Sequence, residues 1–234
     1  MALPIDNFVF IDATFRFLKT RADEYFVKTN TYNEASKTLA EKHIVILTGH
    51  PGEGKTAMAA NLALEGGVRP ENCVKLESAR DWEDVNWSLR CFSTVIIDDI
   101  FGGVSLDHER LSDWKRVLND IEQRAKDNEL QVIVTSRRYI IEEAKEDMDK
   151  ITMFNNNNVH LDSRYLTANE MKQILNAILE RNGIQEDVNL NDCVAKARGV
   201  FNFFGFPECA VLFATETLIT RGPDFFKRPE CHFK

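Results

Sequence analysis

The sequence lacks long apolar runs and paired cysteine motifs, and each absence excludes a class of protein. No apolar stretch approaches the roughly 18 residues that a membrane-spanning helix requires. Residues 1–6 show no basic region followed by an apolar one, so we expect no signal peptide. The 5 cysteines are scattered and form no C-x-x-C pair, which argues against a zinc site and a disulfide framework. Scattered thiols of this kind are typical of a cytoplasmic protein.

Basic residues are also in the minority. The chain has 29 Lys and Arg against 37 Asp and Glu, a formal net charge of −8. Nucleic-acid-binding domains usually carry a basic stripe or patch, so nucleic acid is an unlikely partner. The length of 234 residues fits one large α/β domain, or one domain with a small appendage.

The sequence does contain the motif G-x-x-x-x-G-K-T, at Gly49–Thr56. Glycines at this spacing let the backbone curl so that successive N–H groups point at phosphate oxygens. Lys55 reaches the outer phosphates as a point charge, and Thr56 offers its hydroxyl to Mg²⁺ at the positive end of a helix. The nucleotide-binding residues predicted from this motif are Gly49, His50, Pro51, Gly52, Glu53, Gly54, Lys55, Thr56 and Ala57.

The flanks of the motif support this interpretation. An apolar run at 43–48 precedes the motif, as expected of a buried parallel strand. The helix-forming run 57–64 follows it. A chance match in a glycine-rich turn would not require both neighbours.

Further along the chain, apolar runs alternate with helix-forming segments. Apolar residues recur every three or four positions over 108–126, which predicts a long amphipathic helix. Further strands are predicted at 72–76, 93–100, 130–135 and 159–161. The alternation predicts an α/β fold whose mostly parallel sheet has helices on both faces. With the glycine motif, this indicates a P-loop NTPase three-layer sandwich followed by a small helical lid.

Two of the predicted strands end in charged residues. The strand at 93–100 contains Asp98 and Asp99 at its end, and Arg137 follows the strand at 130–135. The carboxyl ends of parallel strands line a ligand crevice, so we expect Asp98 to hold Mg²⁺ through water and Asp99 to orient or deprotonate an attacking water. Arg137 is expected to sense γ-phosphate charge. The predicted catalytic residues are Lys55, Asp99 and Arg137, and the predicted metal ligands are Thr56 and Asp98.

The pattern divides the chain into three segments. Residues 1–30 are rich in aromatic side chains and form an N-terminal arm, 31–163 form the nucleotide-binding domain, and 164–234 form a helical lid subdomain. Two patterns of Thr followed three residues later by Glu, at Thr31–Glu34 and Thr167–Glu170, predict capping boxes at helix starts.

These motifs together resemble the STAND class of P-loop ATPases, in its novel STAND form, which is related to AAA+ and NB-ARC modules. The resemblance rests on Gly49–Thr56, on Val95–Asp99, on Val132–Arg137, and on Gly205-Phe206-Pro207, which is similar to the Gly-x-Pro element of the family's helical lid. The Walker-type elements are specific for NTPases, and the last two pieces supply most of the narrower assignment.

The resemblance implies a signalling switch, of the kind that serves innate immunity. Such a protein binds ATP or ADP with Mg²⁺, hydrolyses ATP slowly and self-associates on activation. Pro207 would then pack near the adenine. Family members usually continue into sensor and effector domains, so we expect the chain to be part of a larger protein.

Three other interpretations stay open at this point. An AAA+-like ATPase acting on nucleic acid shares the motifs, a small-molecule kinase would use the same loop, and a non-enzymatic protein would keep the loop only as a nucleotide-stabilised fold. The acidic composition disfavours the first, and the second lacks a recognisable acceptor site. The preference for ATP over GTP rests on the family resemblance, and the absence of an N-K-x-D sequence agrees with it.

Overall fold

The protein is built around a five-stranded sheet. The computed structural model describes residues 5–85, 87, 92–148, 151–184, 188–198, 205–215 and 219–229. The strands are β1 (Ile44–Gly49), β2 (Cys73–Leu76), β3 (Thr94–Ile97), β4 (Gln131–Arg137) and β5 (Asn158–Leu161). All five predicted strands are therefore present, and the prediction of an α/β fold with a mostly parallel sheet is confirmed.

The strand order is β2-β3-β4-β1-β5. β3 pairs in parallel with both β2 and β4, and its last residue, Ile97, is in register with Leu76 and Val134. β4 therefore lies between the strand that leads into the glycine motif and the strand that precedes the two aspartates. Because neighbouring parallel strands end at the same edge of a sheet, the residues that follow them come together there.

Helices bury the sheet, which explains why its strands are almost entirely apolar. The described helices are α1 (Ile5–Arg21), α2 (Asn30–Lys42), α3 (Lys55–Ala63), α4 (Ala79–Asp84), α5 (His108–Lys126), α6 (Arg138–Ala144), α7 (Met153–Asn156), α8 (Ala168–Arg181), α9 (Leu190–Ala197) and α10 (Phe206–Phe213). The long amphipathic helix predicted at 108–126 is confirmed as α5, whose Trp114, Leu118 and Ile121 are fully buried. Across the described part of the chain, no helix has the length and apolar character needed to cross a membrane.

The aromatic-rich N-terminal segment forms α1, which covers the outer edge of the sheet. β2 lies at the edge of the sheet, so one side of its backbone has no strand partner among the described residues. The N–H of Lys75 in β2 donates to the hydroxyl of Thr14 in α1 at 2.8 Å. Thr14 and Leu18 are buried by this packing. A side chain of α1 thus satisfies a strand group that would otherwise be open to pairing with another chain.

Internal contacts divide the chain into two compact units. The first contains the sheet and is formed by Met1–Asp23, Tyr32–Thr48 and Lys55–His160. The second is formed by Glu24–Thr31, Gly49–Gly54 and Leu161–Lys234. It has its own aromatic core, in which Phe213 lies 5.5 Å from Phe225 and 4.9 Å from Phe226 between ring centroids. The functional division at residues 30 and 163 stays a prediction.

The two predicted capping boxes have different outcomes. The box of Thr167 and Glu170 is formed at the start of α8. The box at Thr31 is not, because α2 begins one residue earlier, at Asn30. The N–H of Asn30 instead donates to Glu170 Oε1 at 2.6 Å, so an acceptor distant in sequence replaces the local one. The prediction failed because a sequence pattern contains only local acceptors.

Candidate nucleotide site

Thr56, Asp98 and Thr135 meet at the carboxyl edge of the sheet. Thr56 lies in the first turn of α3, Asp98 follows β3, and Thr135 lies in β4. The Thr56 hydroxyl donates to Asp98 Oδ1 at 3.0 Å, and the Thr135 hydroxyl donates to the same oxygen at 2.6 Å. The structure thus brings the two predicted metal ligands, Thr56 and Asp98, into direct contact.

Asp99, the predicted base, has a left-handed backbone with a φ of 48°. Such a conformation is uncommon for a residue other than glycine, and strain of this kind clusters at functional sites. The Asp99 N–H donates to Thr135 Oγ1 at 2.9 Å, which holds the turn against β4. Burial and the neighbouring Asp98 charge raise the pKa of the Asp99 carboxyl. A carboxyl with a raised pKa is a stronger base, in keeping with the predicted role.

Lys55 and Arg137 supply positive charge close to Asp99. Both lower the pKa of this carboxyl, against the larger effect of burial. Lys55 is buried at the start of α3, and Arg137 is half-buried at the end of β4. Nη1 of Arg137 donates to the Tyr139 hydroxyl at 3.3 Å, and that hydroxyl donates in turn to the carbonyl of Val104. The three predicted catalytic residues therefore lie in one charged cluster.

A further cation, Arg110, belongs to the same edge and was not predicted. It lies in the first turn of α5, and its Nη2 donates at 3.0 Å to the carbonyl of Glu77, the residue after β2. Its Nε is buried and has no hydrogen-bond partner among the described residues, and its charge also lowers the pKa of Asp99. Arg110 does not directly follow a strand in the sequence, so only the packing of α5 reveals its position.

The glycine loop, residues 49–54, belongs to the second unit together with the helical tail. Gly52 and Gly54 have φ of 78° and 84°, a region that other residues avoid. Gly49 is required for a different reason, because a Cβ there would lie 2.5 Å from the carbonyl oxygen of Leu161. The spacing of the motif thus serves both backbone curvature and close packing.

Other predicted binding residues have varied surroundings. His50 is exposed, whereas Pro51 and Ala57 are half-buried. The carboxylate of Glu53 is buried and accepts from the Ser163 hydroxyl at 2.6 Å, so it is committed to the protein. The ring of Pro207 lies 3.9 Å from the position that a Cβ on Gly54 would occupy. The contact of Pro207 with adenine stays a prediction.

Comparison with known proteins decides the family. A model of the family described as Novel STAND NTPase 3 matches residues 26–181, more than half of the chain. The chain belongs to this family. No curated protein shows significant sequence similarity to this STAND NTPase.

Solved structures with the same fold include two of the replication initiator DnaA. Domain III of the Thermotoga maritima protein aligns with a TM-score of 0.51 and 13% identity, covering 86% of this chain and 90% of that chain. DnaA bound to AMPPCP and single-stranded DNA aligns with a TM-score of 0.52 and 16% identity, covering 87% and 67%. At these identities the likeness concerns the fold alone.

The donor set of this STAND NTPase fits Mg²⁺. The ion is usually held by one or two carboxylates together with substrate phosphates and water, and Thr56 and Asp98 provide a hydroxyl and a carboxylate in contact. The described residues contain no group of three or more His, Cys, Asp or Glu side chains able to hold a metal. In a site of this kind the remaining ligands would be phosphate oxygens and water.

Proposed function

We propose that this STAND NTPase is a signalling switch that binds Mg-ATP and Mg-ADP and hydrolyses ATP slowly. The observation that carries the proposal is the contact of Thr56 with Asp98, which joins the end of the phosphate-binding motif to the acidic end of β3. A hydroxyl and a carboxylate in contact are the protein ligands that a nucleotide-bound Mg²⁺ uses. The metal would supply charge stabilisation for the outer phosphates.

The remaining groups have complementary roles in this proposal. Lys55 neutralises the outer phosphates, and Asp99 orients the attacking water and accepts its proton. Arg137 stabilises γ-phosphate charge, and its long bond to Tyr139 is one that a phosphate oxygen would compete for. Loss of the γ-phosphate would return Arg137 to Tyr139, so the site would distinguish ATP from ADP.

The wider context is part of the same proposal. Residues 164–234 act as a lid subdomain that carries Pro207 against the adenine, and the nucleotide state controls self-association of a larger cytoplasmic protein. Family membership supports this context. The choice of adenine also agrees with the DnaA structure of the same fold, which is bound to AMPPCP.

The decisive experiment is nucleotide binding by the wild type and by Lys55→Ala. Mg-ATP and Mg-ADP are expected to raise the wild-type free energy of unfolding by about 2.7 kcal/mol at a hundredfold excess over Kd, and Lys55→Ala is expected to abolish this gain. Lys37→Ala, at an exposed position on α2, is the control. A parallel titration with GTP tests whether the site prefers adenine to guanine. Equal stabilisation of wild type and Lys55→Ala would contradict the proposal.

The same preparation tests the main alternative, an ATPase that acts on nucleic acid. One DnaA structure of this fold is bound to single-stranded DNA, whereas the net charge of −8 here disfavours phosphate backbones. We expect no salt-sensitive binding of single-stranded DNA and no stimulation of turnover by it. Tight, salt-sensitive binding with stimulated turnover would make the alternative the better description.

A further inference from the structure

The N-terminus of α10 rests on the carbonyl groups of the glycine loop. The first N–H groups of a helix have no partner within the helix, and the cap residue Gly205 has no side chain to provide one. The N–H of Gly205 donates to the carbonyl of Pro51 at 3.0 Å, and the N–H of Glu208 donates to the carbonyl of Gly52 at 3.2 Å. Pro207, between them, has no N–H.

The one remaining N–H in this turn reaches the loop through a hydroxyl. The N–H of Phe206 donates to Ser163 Oγ at 2.6 Å, and that hydroxyl donates to Glu53 Oε2, also at 2.6 Å. Ser163 is 2% exposed, so water does not compete for these bonds. Every backbone N–H from residue 205 to residue 208 is therefore hydrogen-bonded to the loop, either directly or through the Ser163 hydroxyl.

Two glycines allow this close approach. Gly205 has an ordinary φ of −69°, so its backbone conformation does not require glycine. A Cβ there would nevertheless lie 2.5 Å from the backbone N of Glu53 and 2.5 Å from the carbonyl oxygen of Gly52. A Cβ on Gly52 would lie 2.7 Å from the Cβ of Glu208. The helix and the loop thus fit together only with both glycines in place.

The contact between α10 and the glycine loop has a consequence for phosphate binding, because a trans peptide points its C=O and its N–H in opposite directions. The carbonyl of Pro51 faces α10, so the N–H of Gly52 faces the other way. The carbonyl of Gly52 also faces α10, so the N–H of Glu53 likewise faces away from the helix. Phosphate-binding loops need such N–H groups turned together toward the ligand.

We propose that Ser163, Glu53 and Gly205 are positioning residues, together called the loop clasp, that fix the peptide planes of the glycine loop for phosphate binding. The loop binds phosphate tightly only while the start of α10 is hydrogen-bonded to it. Bound nucleotide in turn stabilises these hydrogen bonds. The clasp regulates the nucleotide site and so rests on the function proposed above. Its parts come from residues far apart in the sequence, and only Glu53 belongs to the glycine motif.

Four variants test the clasp through the Kd for Mg-ADP, measured by calorimetry. Ser163→Ala is expected to weaken binding about tenfold or more, as for the loss of one buried hydrogen bond. Gly205→Ala is expected to weaken it at least as much, because the added Cβ would clash with the backbone of Gly52 and Glu53. Ser163→Thr keeps the hydroxyl, and Val211→Ala changes an exposed residue of α10; both are expected to bind like the wild type. Wild-type affinity in Ser163→Ala and Gly205→Ala would overturn the proposal.

Amide hydrogen exchange without nucleotide tests the clasp independently of the proposed function. The first N–H groups of a helix exchange quickly unless something outside the helix accepts them. We expect the amides of Phe206 and Glu208 to be protected in the wild type and to exchange faster in Ser163→Ala. Rapid exchange at both amides in the wild type would overturn the clasp. Protected amides in a protein that binds no nucleotide would leave the clasp in place and refute the proposed function instead.

Discussion

Replacing Thr135 with valine is the sharpest test of how the acidic edge is held together. The side chain is fully buried, and its hydroxyl makes two bonds at once. It donates to Asp98 Oδ1 at 2.6 Å and accepts from the Asp99 N–H at 2.9 Å. Valine has nearly the same shape and suits a strand equally well, so Thr135→Val removes both bonds and little else.

The magnitude follows from the two partners that are left behind. A hydrogen bond to a charged group contributes about 1.5–3 kcal/mol, and a buried N–H without a partner costs about 1–3 kcal/mol. Burying one more methyl group returns about 0.8 kcal/mol. We therefore expect Thr135→Val to lower the free energy of unfolding by about 2–5 kcal/mol. Thr135→Ser keeps the hydroxyl and loses a methyl group, which costs about 1 kcal/mol.

Tryptophan fluorescence during urea unfolding measures the difference in stability between Thr135→Val and Thr135→Ser in the unit that contains the sheet. Trp82, Trp87 and Trp114 are the 3 tryptophans of the chain, and all lie in the unit that contains the sheet. In thermal unfolding the loss corresponds to about 4–20 °C for a protein of this size. If Thr135→Val and Thr135→Ser unfold at the same urea concentration, the two hydroxyl bonds do not hold Asp98 and Asp99 as described.

Two further predictions concern carboxylates. Asp99→Asn is expected to remove turnover and to raise the melting temperature of the nucleotide-free protein at pH 7, since burial disfavours the charged form of Asp99 and Asn tolerates a φ of 48°. Because the pKa of Asp99 is raised in the folded state, this gain should vanish below the pKa of the unfolded state, near ~4. A melting temperature equal to that of the wild type at every pH would contradict the prediction. Glu170→Ala is expected to cost about 2 kcal/mol in thermal unfolding followed by circular dichroism, with exposed Glu180→Ala as the control. Burial alone would raise the pKa of Glu170, but hydrogen bonds from Asn30 and Thr167 hold it below its usual value. The extra stability of the wild type over Glu170→Ala should therefore be complete above pH ~4.3 and lost as the pH falls through the lowered pKa. A stability difference that does not change with pH would count against these bonds.

The fold was predictable from sequence because its signals are local and periodic. Each strand is a short apolar run that must be buried on both faces, and α5 repeats apolar residues at the helical period. Asp98 and Arg137 were predictable as members of one edge because both follow such runs, and parallel strands end together. These inferences need no knowledge of the strand order.

Arg110 and Ser163 escaped prediction because their roles depend on tertiary packing. Arg110 reaches the edge from the first turn of α5, where a cation is electrostatically unfavourable beside the helix dipole and so matches no helix-start pattern. Ser163 is an ordinary serine in a short turn, and what distinguishes it is its pair of partners, Glu53 and Phe206. The failed capping box at Thr31 has the same cause, since Glu170 supplies the acceptor from 140 residues away.

The glycine loop has two sets of backbone groups, and the sequence motif accounts for only one of them. The motif explains N–H groups that face a phosphate, but each carbonyl turned away from the phosphate also needs a donor. In this STAND NTPase the carbonyls of Pro51 and Gly52 receive theirs from the N-terminus of α10, which has donors without partners of its own. A helix start and a phosphate loop are therefore complementary, and a Gly-x-Pro sequence suits the helix start because glycine permits contact and proline removes a surplus donor. On this argument Gly205 and Pro207 serve the loop through its carbonyls, whether or not Pro207 also touches the adenine.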